Sequence, residues 1–228
     1  MKPIAIKKII FFTAGIFSSV SLFAQKEYTF GVSARADLVS QYIWRGTELG
    51  QTSIQPQATV GFEWIKLTVW GSSDFNGLNR EIDPSISVQL RGFSVGVTGY
   101  WASDTLASKY GKNHVFEGNI AYTFNKFPLT LEWNTAFAGE QDKSYSSYAK
   151  VAYEPEYKGW QVGLAAGLTP WKNEMLETSS FAFTELTTYI GKSVGIAGGL
   201  KLDGMMTLTY NPHLDQLFWV VSVGFSFE

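Results

Sequence analysis

The chain has 228 residues, enough for one domain of ordinary size, and its lack of cysteine excludes disulfides, thiolate metal sites and cysteine nucleophiles. Its formal net charge of -2 argues against nucleic acid as a partner. Aromatic residues make up 16% of the chain and charged residues 17%, and glycine is frequent, a composition typical of strand-rich proteins.

The N-terminus is typical of a secretory signal peptide. Lys2, Lys7 and Lys8 precede an uncharged apolar run from residue 9 to residue 20, and Ala24 offers a small residue for cleavage. The run is short for a membrane-spanning helix, which needs about 20 residues, so a helical anchor is the weaker interpretation. We therefore predict a signal peptide over residues 1–24 and a single domain over residues 25–228, which is more acidic than the whole chain.

The first segment after the signal peptide alternates strictly. Between Tyr28 and Leu38 the even positions are apolar, whereas the odd positions are small or polar and include Arg35 and Asp37. A strand points successive side chains to opposite faces, so this segment has one apolar face and one face that meets water.

The same alternation recurs along the rest of the chain. We predict further strands over residues 54–64, 66–73, 82–90, 93–101, 116–124, 129–137, 147–154, 160–169, 181–190, 194–203 and 217–227. With the first segment the total is about 12 strands, an even number, as bacterial single-chain barrels require.

The predicted links between strands alternate in length. Short turns are expected near 64–66, 91–93, 124–128, 154–160 and 190–194. Longer polar links are expected near 45–52, 73–81, 103–114, 138–147, 169–180 and 203–216. Outer-membrane barrels have short periplasmic turns and longer outer loops. The chain is therefore predicted to be all-β, a transmembrane antiparallel up-and-down β-barrel with both termini in the periplasm.

Aromatic residues concentrate at the predicted strand ends, as expected for two belts at the membrane interfaces. The periplasmic belt would contain Phe62, Trp64, Phe93, Tyr122, Phe124, Tyr157, Trp160, Phe225 and Phe227. The outer belt would contain Tyr42, Trp44, Trp101, Phe137 and Trp171. A soluble exported β-sandwich or lipocalin would instead bury such rings in its core.

Two features fit the pattern less simply. Pro56 and Pro84 lie within predicted strands, and because proline cannot donate to a ladder we expect a local bulge at each. Trp70 and Phe218 fall on the otherwise polar face, so either they fill space inside the barrel or the predicted register slips there.

The segment from Ala36 to Gly46, ADLVSQYIWRG, is distinctive, and the segment from Gln51 to Pro56 follows it. Together they resemble the opening of the TorF-like porin family, also called the Gcw-chp family, with Gln41 and Ile43 in place of the usual Arg and Val. A later TLTYNP segment at 207–212 is also similar. The resemblance implies an outer-membrane barrel and supplies neither a substrate nor a catalytic residue.

The motif residues Tyr42, Trp44, Arg45 and Gly46 also have a plain physical interpretation. The two rings would anchor the strand at the outer interface, and Gly46 would let the loop turn. Arg45 would reach lipid phosphate or fold into the lumen, and a role for it in gripping a ligand is open.

Catalytic patterns are weak. His114 lacks the His-x-Ser spacing of a barrel phospholipase, and His213 lies in a polar link. Neither has a metal-ligand partner three or four residues away. We therefore expect no enzymatic activity, no metal and no cofactor.

The water-facing side of the strands is the better place for function. The candidate lumen-facing residues are Arg35, Asp37, Glu63, Lys66, Asp74, Asp83, Arg91, Glu117, Glu132, Glu185 and Lys201. Acids outnumber bases, and an acidic lumen enriches cations. Alternatively, opposite charges pair across the lumen and fill it, since a barrel of about 12 strands lies between filled and open sizes.

These observations lead to a porin-like barrel for passive diffusion of small neutral or cationic solutes. A non-conducting structural or adhesion barrel and a lipid-modifying barrel enzyme are the alternatives. The expected location is the bacterial outer membrane. The expected partners are outer-membrane lipid and lipopolysaccharide, and the barrel-assembly machinery, which the C-terminal strand would contact.

Overall fold

A computed structural model describes residues 30–77, 79–102, 114–140 and 143–227, so the predicted signal peptide lies outside the described residues. Within the described residues the strands are joined by turns and irregular links, and no helix is present. The bounds of the strands are β1 Phe30–Val39, β2 Tyr42–Trp44, β3 Thr47–Gly50, β4 Ser53–Phe62, β5 Ile65–Asp74, β6 Arg80–Leu90, β7 Phe93–Trp101, β8 His114–Thr123, β9 Leu129–Ala138, β10 Ser147–Tyr153, β11 Glu156–Tyr157, β12 Trp160–Thr169, β13 Ala182–Ala197, β14 Leu200–Asn211 and β15 Gln216–Phe227.

Twelve of these strands form one closed antiparallel barrel in sequential order, and only β2, β3 and β11 are additional. Two pairings make the ring of strands continuous. β1 pairs with β15, with Ala36 opposite Phe225, and β10 pairs with β12 across the short β11 segment. The prediction of a 12-stranded up-and-down barrel is therefore confirmed.

The two faces of the wall differ as the alternation predicts. In β1, Val32 and Leu38 are exposed on the outside, whereas Asp37 is 2% exposed on the inside. The outer surface carries most of the large apolar side chains, and the interior carries buried Glu, Asp, Asn, Ser and Thr. An apolar exterior around a polar interior is the arrangement of a membrane barrel, and it is the opposite of a soluble sandwich.

The links also sort by length between the two ends of the barrel. One end, called here the short-turn end, holds the turns at 63–64, 91–92, 124–128, 154–159 and 198–199, together with the first residue of β1 and the last of β15. The other end, called the long-loop end, holds the remaining links, whose described residues are 40–52, 75–77, 79, 102, 139–140, 143–146, 170–181 and 212–215.

Two predicted links are wrong. β13 continues through 190–194 and turns only at Gly198 and Gly199, whose φ values of 58° and 86° suit a two-residue hairpin turn. The segment 203–216 is mostly strand, because β14 runs to Asn211 and leaves only 212–215 as the link. The pair of glycines was the better turn signal than the polar residues around Lys192.

The expected bulges at the prolines are also wrong. Pro56 pairs with Ala36 and Pro84 pairs with Val69, and the register of these ladders does not shift at either proline. At Pro84 the Asp83 carboxylate accepts a bond from the backbone N–H of Trp101, at 3.3 Å. Register shifts occur instead in β8 between Phe116 and Glu117, in β12 between Gly167 and Leu168, and in β13 between Gly195 and Ala197.

The aromatic predictions divide between the two ends. Every ring predicted for the belt at the short-turn end is exposed on the outside of the barrel, between 39% for Tyr122 and 65% for Tyr157. At the long-loop end Phe137 and Trp171 are exposed, but Trp101 is only 6% exposed, so its predicted place in the outer belt is wrong. Trp70 and Phe218 lie inside without a slip in register. No helix in the described residues is long and apolar enough to cross a membrane.

Candidate functional site

The link between β1 and β4 folds into the barrel instead of projecting from it. Its residues 42–50 form a small antiparallel hairpin, β2 and β3, called here the inner hairpin. The turn of the hairpin is Arg45 and Gly46, both with positive φ, at 51° and 83°. Two successive positive φ values define the turn that best matches the twist of paired strands.

The aromatic residues of the inner hairpin pack against the inside of the wall. Tyr42 meets Trp70 of β5 at a ring distance of 5.4 Å, and Trp44 meets Tyr100 of β7 edge to face at 5.5 Å. Tyr42 and Trp44 are 7% and 6% exposed. Their predicted place in the outer membrane belt is therefore wrong, because the hairpin turns them inward.

Arg45 makes the strongest polar contact of the inner hairpin. Its two terminal nitrogens each donate to one oxygen of the Glu117 carboxylate, and both distances are 2.7 Å. The guanidinium also lies between two rings, 4.4 Å from the centre of Trp44 and 4.5 Å from the centre of Tyr148. A planar guanidinium is suited to both contacts at once, whereas an ammonium is not.

The electrostatics keep the hairpin residues in the protonation states that these bonds need. Burial lowers the pKa of the Arg45 guanidinium, but Glu117, Tyr100 and Tyr148 together raise that pKa by more, so Arg45 stays charged. Burial and the negative charge of Glu81 raise the pKa of Tyr42, so its hydroxyl remains a donor. That hydroxyl donates to the Glu81 carboxylate at 3.0 Å.

Glu117 is held by its own wall as well as by Arg45. The Tyr100 hydroxyl and the Asn119 amide donate to the same carboxylate oxygen, at 2.9 and 2.8 Å. Asn119 in turn accepts from Thr98 and donates to Asn134. Three adjacent strands, β7 to β9, therefore position this carboxylate.

The tip of the inner hairpin reaches the far side of the barrel. The Asn211 side chain of β14 donates to the Gly46 carbonyl at 2.9 Å. A Cβ on Gly46 would lie 1.8 Å from the backbone oxygen of Thr184 in β13, so only glycine fits there. The hairpin is thus fastened to both sides of the wall.

A second link contributes to the same cluster. Leu176, in the link between β12 and β13, is 4% exposed and packs with Tyr42, Trp44, Tyr100 and Tyr148. The Leu176 amide is held by the Asn173 side chain, at 2.9 Å. The result is an apolar core inside the barrel at the long-loop end.

Tyr148 connects the Arg45 site to another charged group. Its ring covers Arg45, and its hydroxyl donates to Glu185, which also accepts from Lys150 at 3.2 Å. Tyr148 crosses β12 at Gly167, where a Cβ would lie 1.9 Å from its hydroxyl oxygen. The absence of a side chain at Gly167 makes this passage possible.

The remaining candidate residues are spread over the interior. Arg35 pairs with Asp37 at 2.5 Å and lies 3.6 Å from Asp203. Lys66, Asp74, Asp83, Glu132 and Lys201 lie on barrel strands at half-buried or buried inward positions. Glu63 and Arg91 do not lie on a strand, because each occupies a turn at the short-turn end with a positive φ.

Sequence reasoning missed several residues of the site. Tyr100, Tyr148 and Lys150 face inward but were not assigned to the lumen. Asn119, which shares the inner face of β8 with Glu117, was passed over because it is uncharged. One sequence signal could have predicted the hairpin turn at Arg45 and Gly46. A basic residue followed by glycine also forms the turns that begin at Arg91 and Lys158. In the described residues no group of three or more acids and histidines is placed to hold a metal ion.

Comparison with solved structures finds similar chains among outer-membrane barrels. The KdgM porin matches 88% of this chain and 99% of its own, with 10% identity and a TM-score of 0.51. A mutant of the Rh. blastica porin matches 86% and 73%, with 14% identity and a TM-score of 0.37. An outer membrane channel from Pseudomonas putida F1 matches 90% and 96%, with 10% identity and a TM-score of 0.41.

Of these three, the KdgM porin alone superimposes well enough to show a shared fold. No protein-family model matches the chain, and a search of curated proteins finds no match. The class of fold is therefore a membrane β-barrel, which this chain shares with the KdgM porin, and the resemblance to the TorF-like family stays a prediction.

Proposed function

We propose that this chain is an outer-membrane diffusion channel for small neutral or cationic solutes. The observation that carries the proposal is the inside of the wall. Its acids are Asp37, Asp74, Glu81, Asp83, Glu117, Glu132, Glu185 and Asp203, and its bases are Arg35, Lys66, Lys150 and Lys201. Arg45 of the inner hairpin neutralises one of the acids. The excess of acid raises the local concentration of cations and lowers that of anions.

Reversal potentials in planar bilayers test this proposal. Across a gradient of potassium chloride, the purified protein is expected to conduct with a preference for potassium over chloride. Asp74→Asn, which removes one interior acid, is expected to reduce the preference, whereas Glu156→Gln, in the exposed β11 segment, leaves it unchanged. Absence of any conductance, or a preference for chloride, would contradict the proposal.

A non-conducting barrel is the second candidate, and the inner hairpin favours it. The hairpin and Leu176 place an apolar cluster inside the wall, where an open channel would hold water. In the bilayer experiment this candidate predicts a protein that inserts but does not conduct. Insertion without conductance, shown by a folded protein that only detergent extracts from vesicles, would establish it.

The orientation proposed here puts the short-turn end and both barrel termini in the periplasm, with the apolar exterior in contact with outer-membrane lipid and lipopolysaccharide. β15 is the strand proposed to contact the assembly machinery. Because the chain has no cysteine, single introduced cysteines report the orientation. An impermeant maleimide added to intact cells is expected to label Ser179→Cys at the long-loop end and not Lys126→Cys at the short-turn end. The reverse labelling would overturn the orientation.

We propose no catalytic role for the histidines. The His114 ring stacks between Trp101, at 5.6 Å, and Phe116, at 6.0 Å, so its faces are covered by aromatic rings. His213 lies in the exposed link between β14 and β15. Lipid turnover by the purified barrel that disappears in His114→Ala would contradict this statement.

A further inference from the structure

Arg45 and its surroundings have the form of a bound ligand in a binding site. The guanidinium is 8% exposed and Glu117 is fully buried, so the pair is removed from water almost completely. A buried ion pair contributes weakly to stability, because the cost of removing both charges from water offsets their attraction. The Arg45–Glu117 pair is therefore not explained by a contribution to the stability of the hairpin.

The wall side of the site is organised without the hairpin. Glu117 is oriented by Tyr100 and Asn119, and Tyr148 is oriented by its bond to Glu185. These four wall residues, Tyr100, Glu117, Asn119 and Tyr148, are called here the Glu117 pocket. It presents two carboxylate oxygens in one plane beside an aromatic face, which is the arrangement that recognises a guanidinium group.

The inner hairpin has other attachments that do not use Arg45. Tyr42 is bonded to Glu81, and Gly46 is bonded to Asn211. The hairpin can therefore remain a folded element while Arg45 leaves the Glu117 pocket.

We infer that Arg45 is a tethered occupant of a guanidinium-binding site in the lumen wall, and that small solutes with a guanidinium group compete with Arg45 for Glu117. This inference rests on the proposed function, because the solutes must enter the lumen. The inference narrows the class of cationic solutes to those whose planar group donates two hydrogen bonds. Arg45 of the inner hairpin then competes with these solutes for the same carboxylate.

The experiment compares block of potassium current by guanidinium chloride, with potassium chloride at equal ionic strength as the reference. Removal of the tethered group in Arg45→Ala is expected to lower the half-blocking concentration by about tenfold, the effect of one lost charge-assisted competitor. The double variant Arg45→Ala with Glu117→Gln is expected to lose this gain. Arg35→Ala is the matched control, since it removes another interior arginine and should change the half-blocking concentration far less than Arg45→Ala does.

A second readout separates this inference from the proposed function. In detergent, millimolar guanidinium is expected to raise the temperature at which folded Arg45→Ala loses its compact gel mobility, with no such rise for the wild type or the double variant. A barrel that never conducts but shows this protection supports the site and overturns the channel. Equal block and equal protection in Arg45→Ala, Arg35→Ala and the wild type overturn the site.

Arg45→Lys covers the case in which Arg45→Ala does not refold. Lysine keeps the charge but cannot donate to both carboxylate oxygens in one plane. Its half-blocking concentration is expected between those of the wild type and a variant without the tethered group. A wild-type value in Arg45→Lys would count against the guanidinium geometry.

Discussion

Two arginines inside the barrel pair with carboxylates, and they do so in different ways. Arg35 bonds Asp37, two residues along the same strand, and reaches towards Asp203 across β15. Arg45 bonds Glu117, which is 72 residues away and on a strand that the hairpin does not pair with. The first arrangement braces neighbouring strands within the wall, whereas the second ties a loop across the lumen.

The difference also appears in what surrounds each pair. Gly224 of β15 leaves room for the Asp37 carboxylate, since a Cβ there would lie 2.1 Å from its oxygen, so this pair lies flat on the wall. The Arg45 pair is enclosed by Trp44 and Tyr148. The same chemistry therefore braces the wall at one site and holds the inner hairpin inside the lumen at the other.

The most disruptive change to the seating of the inner hairpin is expected at Gly46. Gly46→Ala places a Cβ on Thr184 and forces a left-handed backbone on alanine, which alone costs about 1–2 kcal/mol. We expect the inner hairpin to leave its seat and single-channel conductance to rise above that of the wild type. Gly204→Ala, where no atom lies within 4 Å of an added Cβ, is the control and should conduct as the wild type does. Unchanged conductance in Gly46→Ala would show that the hairpin does not limit the current.

The next largest effect is expected on stability at Glu117. Glu117→Gln leaves the Arg45 charge buried without its partner, and breaking a buried pair in this way costs about 3–5 kcal/mol. The loss, read from urea unfolding in detergent or vesicles, should shrink when Arg45→Ala is added, because no unpaired charge then remains. Glu174→Gln, in an exposed pair with Lys172, should change stability by less than about 1 kcal/mol. Additive losses at Glu117 and Arg45 would indicate that the two residues are not coupled.

The fold was accessible from the sequence because a strand repeats every two residues and a barrel wall has water on one face and lipid on the other. That contrast recurs in every strand, so a single error, such as the turn placed at 190–194, did not change the strand count. The location of Trp70 and Phe218 inside the wall needed coordinates, because a ring on the polar face has no signature of its own.

The site was less accessible, because it depends on contacts between residues far apart in the chain. Arg45 and Glu117 were both singled out, but no pattern in the sequence joins them. Tyr42 and Trp44 were assigned to the membrane interface, which suits amphipathic rings equally well. The inward direction of the hairpin follows from close packing at Gly46 and Gly167, and close packing between distant segments has no local periodicity.

A smaller effect on the seating of the inner hairpin is expected from Tyr42. Tyr42→Phe keeps the ring against Trp70 but removes the hydroxyl that donates to Glu81, a bond to a charged group and therefore about 1.5–3 kcal/mol in unfolding free energy. Part of this loss will be offset where water replaces the hydroxyl. The measurement is again urea unfolding, with Tyr145→Phe at an exposed position as the control. Equal stability of the two variants would show that the Glu81 bond does not hold the hairpin.

The smallest effect on the seating of the inner hairpin is expected at Arg35. This prediction sharpens the contrast between Arg35 and Arg45. Because the Arg35 pair braces the wall and does not touch the inner hairpin, Arg35→Ala should leave the hairpin seated and single-channel conductance near the wild-type value. It removes one interior positive charge beside Asp37 and Asp203, so the reversal potential should shift modestly towards greater cation preference. Reversal potentials at 0.1 M salt and at 1 M salt check the cause, since a shift produced by an interior charge shrinks as the screening length falls from about 10 Å to about 3 Å. A rise in conductance as large as that of Gly46→Ala would contradict the distinction between the two arginines. It would mean that the Arg35 pair also holds the inner hairpin in place.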